Sequence, residues 1–477
     1  MWLCTNVIHK RAAHVAFACL SGFLLGYDLC VIGSILTPVQ RTLQLCYPCD
    51  RGDTDDALAH CTCAAKQLAV SSVSFGAIAG GVTGGWLADR FGRRLALSLT
   101  DGCFVVAAVA MANAWPGWGV FLFFGGRVLA GLALGAAGVI STAYLAELSP
   151  PSVRGMLLNL NELGVCFGCL TGYLVPLALG DELWRWTVGV AAVPAIAQLV
   201  GLLSFLQESP RWLSEQGHSE RAAAVAATLG LDASPLLTPL LDASPCTARV
   251  SLHTHRRPLL LAAGCALAHA ASGANVVLYY SRDILQAAQL PEPLLANVGV
   301  GVVKLLGVAV CVASVDYFGR RKLLIVGSAG MILAYVGLAI AFSGAGVASG
   351  GSSSLALVCL LLFVLAWDMS WAGLMMTVAA ELLPQPVRGV GLGLTYSLYW
   401  ALSFTESQTL ESAFDALGHT ATFGLYAAST SLALVFSVCC VPETHGVSLE
   451  AIAPAGGGAR AKTSDAATAP SDELLVL

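Results

Sequence analysis

Long apolar blocks alternate along this chain with short polar interruptions, and each block approaches the roughly 20 residues that a helix needs to cross about 30 Å of hydrocarbon. Polar punctuation places twelve such spans at 12–35, 67–87, 96–114, 119–142, 157–179, 186–206, 259–281, 295–315, 322–343, 355–379, 389–411 and 419–441. The blocks are nearly continuous rather than alternating: Leu305–Val315 carries one polar residue, Ser314, and Ala427–Val441 carries no charge. A membrane β-barrel would instead alternate outward apolar and inward polar positions. The expected fold class is therefore an all-α membrane protein.

Residues 207–258 form the one long polar interruption, and it separates six spans from six. The pattern divides the chain into a first six-helix half (1–206), a linker with short helices (207–258), a second six-helix half (259–441) and a mostly disordered tail (442–477). Composition agrees with a polytopic chain: 57% of the 477 residues are hydrophobic and 11% charged, against about 25% charged in soluble domains. A net charge of −5 leaves no basic face for nucleic acid. Lys10 and Arg11 precede an apolar stretch too long for a cleavable signal, so it reads as a retained first helix. With that helix starting inside, 17 of the 24 Lys and Arg residues fall on the cytoplasmic side, which puts both termini in the cytoplasm of a multi-pass protein, most simply in the plasma membrane.

The halves repeat one another. E-L-x-P-x-x-V-R-G runs from Glu147 to Gly155 and again from Glu381 to Gly389; DRFGRR from Asp89 to Arg94 recurs as DYFGRR from Asp316 to Arg321; Glu208 has a counterpart in Glu443. Three motifs in one order at offsets of 234, 227 and 235 mark a duplication, and six helices per copy insert both copies in the same orientation. All the repeated charges lie at helix ends on the cytoplasmic side. Arginine offers carboxylates a bidentate geometry that lysine does not, so such pairs can latch one of two states. Topology charges alone would also account for them, at about 0–1 kcal/mol per exposed pair.

Together GGWLADRFGRR, YLAELSPPSVRG, QESPRWL, DYFGRRK, ELLPQPVRG and PETHG resemble the signature set of the sugar porter family in the major facilitator superfamily, over residues 22–450. The resemblance implies the twelve-helix fold in two six-helix repeats, and transport of a monosaccharide or polyol by alternating access, functional as a monomer and needing only membrane lipid around it. It carries latch roles to Asp89, Arg93, Glu147, Arg154, Glu208, Arg211, Asp316, Arg320, Glu381, Arg388 and Glu443. It implies no cofactor, no metal and no enzymatic activity, and no nucleophile–base pair or phosphate loop is visible in the loops.

A charge at membrane depth is costly and points to function. Asp28, Arg127, Glu162, Lys304 and Asp368 are so placed, with Glu406 and Glu411 nearer an exit. An aspartate beside an arginine stays ionised until their separation changes, which suits Asp28 and Arg127 to proton coupling. By resemblance, Asp at this position belongs to proton-coupled members and Asn to many facilitative ones; a static packing pair is the alternative. Glu162 and Lys304 stand where hexose carriers have a glutamine and an asparagine. A carboxylate only accepts and an ammonium only donates. The expectation is that the two pair across an empty cavity and turn to substrate hydroxyls when it fills; Lys304 could instead snorkel to a helix end.

Asn275, Tyr279 and Trp400 match substrate-facing positions that the resemblance implies, while His269 replaces a glutamine of the family pattern and is as well suited to packing as to binding. The tenth span lacks the Gly/Pro-rich break and the following tryptophan usual in hexose carriers, Met376 standing at the latter position, and Trp367 or Trp371 would have to replace the lost aromatic. Cys46, Cys49, Cys61 and Cys63 cluster in the first extracellular loop, where an oxidising medium favours one or two disulfides over metal or free thiols. The leading expectation is a proton-coupled sugar or polyol carrier; a proton-independent facilitator and a non-transporting sugar sensor remain as alternatives.

Overall fold

The computed structural model describes residues 2–45, 64–148, 154–231, 255–290, 292–343, 352–384 and 387–444, with the side chains of 2–12, 154–156, 158–159, 275–276, 316, 352 and 388 left out. Cys46, Cys49, Cys61, Cys63, the linker residues 232–254 and the tail from 445 lie outside this description.

Every apolar block is helical. The first five spans are Trp2–Leu43, Ala64–Phe91, Arg93–Ala112, Gly119–Leu148 and Arg154–Leu179, most of them longer than the apolar stretch alone required. The sixth is built from Trp184–Val190 and Ala192–Ser204, and the linker carries the short helices Pro210–Glu215 and Ser219–Thr228. Ser209 caps the first of these, its Oγ accepting from the Trp212 amide at 3.3 Å. The eighth and ninth spans are Pro293–Phe318 and Arg320–Ala341. Arg388–Cys439 contains the eleventh and twelfth, divided at Gly418, whose φ of 77° and ψ of 162° no helix accommodates.

Two spans are interrupted at depth. The seventh is Arg256–Ala271, Ala274–Tyr279 and Ser281–Ala287, bent where Gly273 takes a φ of 65°. The tenth runs from Ser352–Trp367 through a π-helical turn, Asp368–Ala372, into Gly373–Leu382. The sequence lacks the expected Gly/Pro break here, yet the span is still distorted, because one wide turn with i→i+5 bonding inserts an extra residue. Ser370 Oγ supports it by donating to the Ala366 carbonyl at 2.7 Å.

Hydrocarbon gives helices no hydrophobic reason to associate, so close backbone approach through small residues does the packing. The second and fourth spans show it: Gly131 faces the backbone of Val73, Gly135 that of Ala77, and Gly76 that of Val128. Large apolar side chains such as Val193, Leu333 and Leu432 point outward, as lipid-facing residues must.

The duplication is visible in the backbone as well. Gly92, between the second and third spans, has φ 87° and ψ 162°; Gly319, between the eighth and ninth, has φ 83° and ψ 160°. Only glycine occupies that region without strain. A Cβ at Gly92 would also strike the Glu208 carboxylate, and one at Gly319 the Glu443 carboxylate. Gly92→Ala and Gly319→Ala should each destabilise the protein by about 1–3 kcal/mol, read as a lowered unfolding temperature in detergent. Unchanged melting in both would show that the turns relax freely.

Candidate functional site

A cavity of about 130 Å³ lies between the two repeats. The first, fourth and fifth spans line one wall; the seventh, eighth, tenth and eleventh line the other. Its polar groups are mixed in kind: Asn161 and Glu162 on one wall, His269, Lys304 and Tyr399 on the other, with Ser141, Thr142 and Thr377 toward the helix ends that carry the repeated motifs. Trp367 supplies an aromatic wall. Hydroxyls, an amide and an aromatic face converging in one cleft can bind a small polyhydroxylated molecule.

Lys304 does not pair with Glu162. Its Nζ lies 2.9 Å from Asp368 Oδ1, both side chains fully buried, and 4.4 Å from the centre of the Trp367 ring. The π turn explains the substitution of partners. It carries Asp368 against the eighth span, where Gly307 leaves the space: a Cβ there would lie 2.7 Å from Asp368 Cβ. Lys304 is likewise drawn into the protein rather than snorkelling to a helix end. Glu162 faces the cavity with no hydrogen bond or ion pair among the described residues. Glu162, Cys166 and Asp368 hold ligand atoms within 4.8 Å of one another, but a metal there would compete with the Lys304 ammonium.

The other expected substrate residues divide. His269 lines the cavity, its ring edge-on to Trp367 at 5.6 Å and to Tyr399 at 4.9 Å, with Nδ1 unpartnered. Tyr279 and Trp400 are buried beside it but do not line it. The side chain of Asn275 lies outside the described residues. Of the two tryptophans, only Trp367 reaches the cavity; Trp371 turns the other way and donates to Ser328 Oγ at 2.9 Å. Met376 lines the cavity at the position where the tryptophan was expected.

Asp28 and Arg127 do meet, at 2.8 Å, both nearly inaccessible. Arg127 also donates to the carbonyls of Ala69 and Val70, each at 3.2 Å, so the second span holds the guanidinium independently of the carboxylate. The pair sits outside the cavity lining.

At the motif face the repeated charges form two matching clusters. In the first half Arg93 bonds Glu147 at 2.9 Å and Asp89 at 3.3 Å, while Glu208 accepts from the backbone amides of Arg93 and Arg94. Burial pushes the Glu208 carboxyl above the usual range, and these amides act against that. In the second half Arg320 lies 3.5 Å from Glu381, and its amide donates to Glu443 at 3.0 Å. Arg94 caps the Leu202 and Leu203 carbonyls, as Arg321 caps that of Val438. Arg211 pairs with its neighbour Glu215 at 3.1 Å, an exposed i,i+4 pair. The side chains of Arg154, Asp316 and Arg388 lie outside the described residues. The described pairs hold each half together and do not cross between halves.

Among the described residues the ion pairs that cross between the halves are at the opposite face, and sequence reasoning missed them. Lys66, at the start of the second span, is 3% exposed and lies 2.7 Å from Glu411 and 3.5 Å from Asp283. Beside it Gln67 donates to Ser412 at 3.1 Å, and Arg282 to the Ser34 carbonyl at 2.7 Å. Lys66 reads from sequence as a loop charge beside the cysteine cluster, and 345 residues separate it from Glu411, so no local spacing signals the pair.

Two repeats of six helices around a central cleft define a major facilitator transporter rather than an enzyme. The profile of the family described as "Sugar (and other) transporter" matches residues 14–455, and the chain belongs to this sugar porter family. It is 33% identical over 444 residues to the glucose transporter GlcP of Staphylococcus epidermidis, covering 91% of this chain and 94% of that one. It is 30% identical to the galactose-proton symporter of Escherichia coli, covering 91% and 92%. Among solved structures, the proton:xylose symporter XylE bound to 6-bromo-6-deoxy-D-glucose superposes with a TM-score of 0.78 at 25% identity, covering 93% of this chain and 98% of that one.

Removing one member of a buried ion pair leaves a charge without compensation, at about 3–5 kcal/mol, whereas replacing both by apolar groups is often neutral. Lys304→Met should therefore destabilise by that amount and Lys304→Met with Asp368→Leu should recover most of it, as read by thermal unfolding of the purified variants. A single variant as stable as the parent would contradict the pairing.

Proposed function

We propose that this protein is a proton-coupled carrier of a monosaccharide or polyol, working by alternating access in the plasma membrane with both termini in the cytoplasm, as a monomer in lipid. The observation that carries the reading is the buried Asp28–Arg127 pair beside a cleft lined with hydroxyls, an amide and Trp367. Protonation of Asp28 removes the charge that Arg127 balances. The guanidinium stays anchored on the Ala69 and Val70 carbonyls, so the first span is the element released. Proton and sugar would then act on one equilibrium, each favouring the same rearrangement.

On this reading the state is inward-facing. The Lys66 cluster ties the halves at the face away from the motifs, while the cavity reaches Thr142 and Thr377 on the cytoplasmic side. In this state the motif-face ion pairs stitch each half into a rigid body, and transport turns those bodies about the central cleft. Similarity to the galactose-proton symporter and to XylE supports coupling. A proton-independent facilitator is the second reading, supported by 28% identity to the mouse facilitated glucose transporter member 8.

Uptake into proteoliposomes of hexoses, pentoses, inositol and linear polyols, with and without an inward proton gradient, tests the proposal. At least one should accumulate above equilibrium only under the gradient; equilibration alone for every substrate moved would favour the facilitator. Asp28→Asn should abolish that accumulation while retaining counterflow, and accumulation that survives it would move the proton to another group. Lys66→Met should raise the accessibility of the outer cleft to a membrane-impermeant thiol reagent at a cysteine introduced at Ser34, with no increase meaning that the ion cluster does not hold this face closed.

A further inference from the structure

The cleft holds an acidic group with no ion-pair partner among the described residues. Glu162 and Lys304 line it, but the Lys304 ammonium is bonded to Asp368, which is itself shut away from the cavity. Asp368 keeps a second oxygen, Oδ2, with no hydrogen-bond partner. Glu162 has no hydrogen bond or ion pair among the described residues, and its carboxylate and that of Asp368 lie within 4.8 Å. Two carboxyl groups therefore lie near one ammonium, which is bonded to Asp368, and the one left facing the cavity is Glu162. The other cations do not supply the balance: Arg127 is committed to Asp28 and Lys66 to Glu411 and Asp283. His269, wedged edge-on between Trp367 and Tyr399, lies on the opposite wall from Glu162.

A buried carboxylate without a cation is costly, and a ligand that brings one removes the cost. It can also accept hydrogen bonds but not donate them, so at this position an amide-like glutamine and a carboxylate select different ligands. Trp367 adds an aromatic surface for sugar C–H groups, its ring already carrying the Lys304 ammonium 4.4 Å from its centre. From this charge count, and resting on the carrier reading above, we infer that the cleft is built for a sugar or polyol bearing a protonated amino group, with Glu162 as its counter-ion and Lys304 and Asp368 holding the floor of the site. The neutral hydroxyls of the same molecule would be left to Asn161, Thr142 and Tyr399.

The test is binding by the purified full-length protein, read as tryptophan fluorescence, of D-glucose against 2-amino-2-deoxy-D-glucose and 6-amino-6-deoxy-D-glucose. Each amine differs from its parent by one isosteric group. At least one amine should bind about tenfold more tightly than glucose, a factor within the range of a partly desolvated charge pair. Glu162→Gln should remove the preference and Glu162→Asp should retain part of it, which separates a charge effect from a folding defect. Glucose binding as tightly as both amines, or a preference that survives Glu162→Gln, would overturn the inference while leaving the sugar-carrier reading intact. Failure of glucose, both amines and every neutral sugar or polyol of the uptake panel to bind would remove both.

Discussion

Hydrocarbon offers a charge neither water nor counter-ion, so an ionised group at depth is costly unless the protein or a ligand compensates it. That constraint organises this molecule. Asp28 is matched by Arg127, Asp368 by Lys304, and Lys66 by two carboxylates. Each match needs helices brought close together at one level. The glycine-lined contacts of the second and fourth spans, the gap at Gly307 and the π turn at Asp368–Ala372 are the means by which the backbone meets that need.

The three matches differ in what they join. Asp28–Arg127 links the first and fourth spans within one repeat, and Lys304–Asp368 links the eighth and tenth within the other. Lys66 alone among them joins the repeats to each other. A pair inside a rigid body is kept through any movement of that body, whereas a pair between bodies is broken or made by it. On the proposed reading, protonation acts on the first pair from inside its repeat by freeing the first span, whereas alternation must break the third.

Much of this was legible in the chain. Block length gives the spans, and the motif repeat gives the two halves. The Asp28–Arg127 pair follows from two opposite charges that the resemblance places together. Other features were not legible for physical reasons. Whether Lys304 meets Glu162 or Asp368 depends on the rotation of three helices, and a single extra residue in the π turn changes the rotation of the tenth by a large fraction of a turn. The tenth span lacks the Gly/Pro-rich break, but a π turn needs no proline and leaves no compositional trace. Lys66 and Glu411 lie 345 residues apart, and only their common depth at one face brings them together.

The two faces of the molecule therefore carry different kinds of electrostatic work. At the motif face, Arg93 and Arg320 bind acids of their own repeat, and Glu208 and Glu443 clamp the backbone turns at Gly92 and Gly319. These bonds tie each half together, and a latch role for them requires that they differ between the two orientations. At the other face, one ammonium between two carboxylates joins the halves. A state can be biased only by interactions that differ between the alternatives, so on the proposed carrier reading the cluster around Lys66 is a contact that alternation must break. The repeated motifs act within each body, and the unrepeated cluster acts between the two.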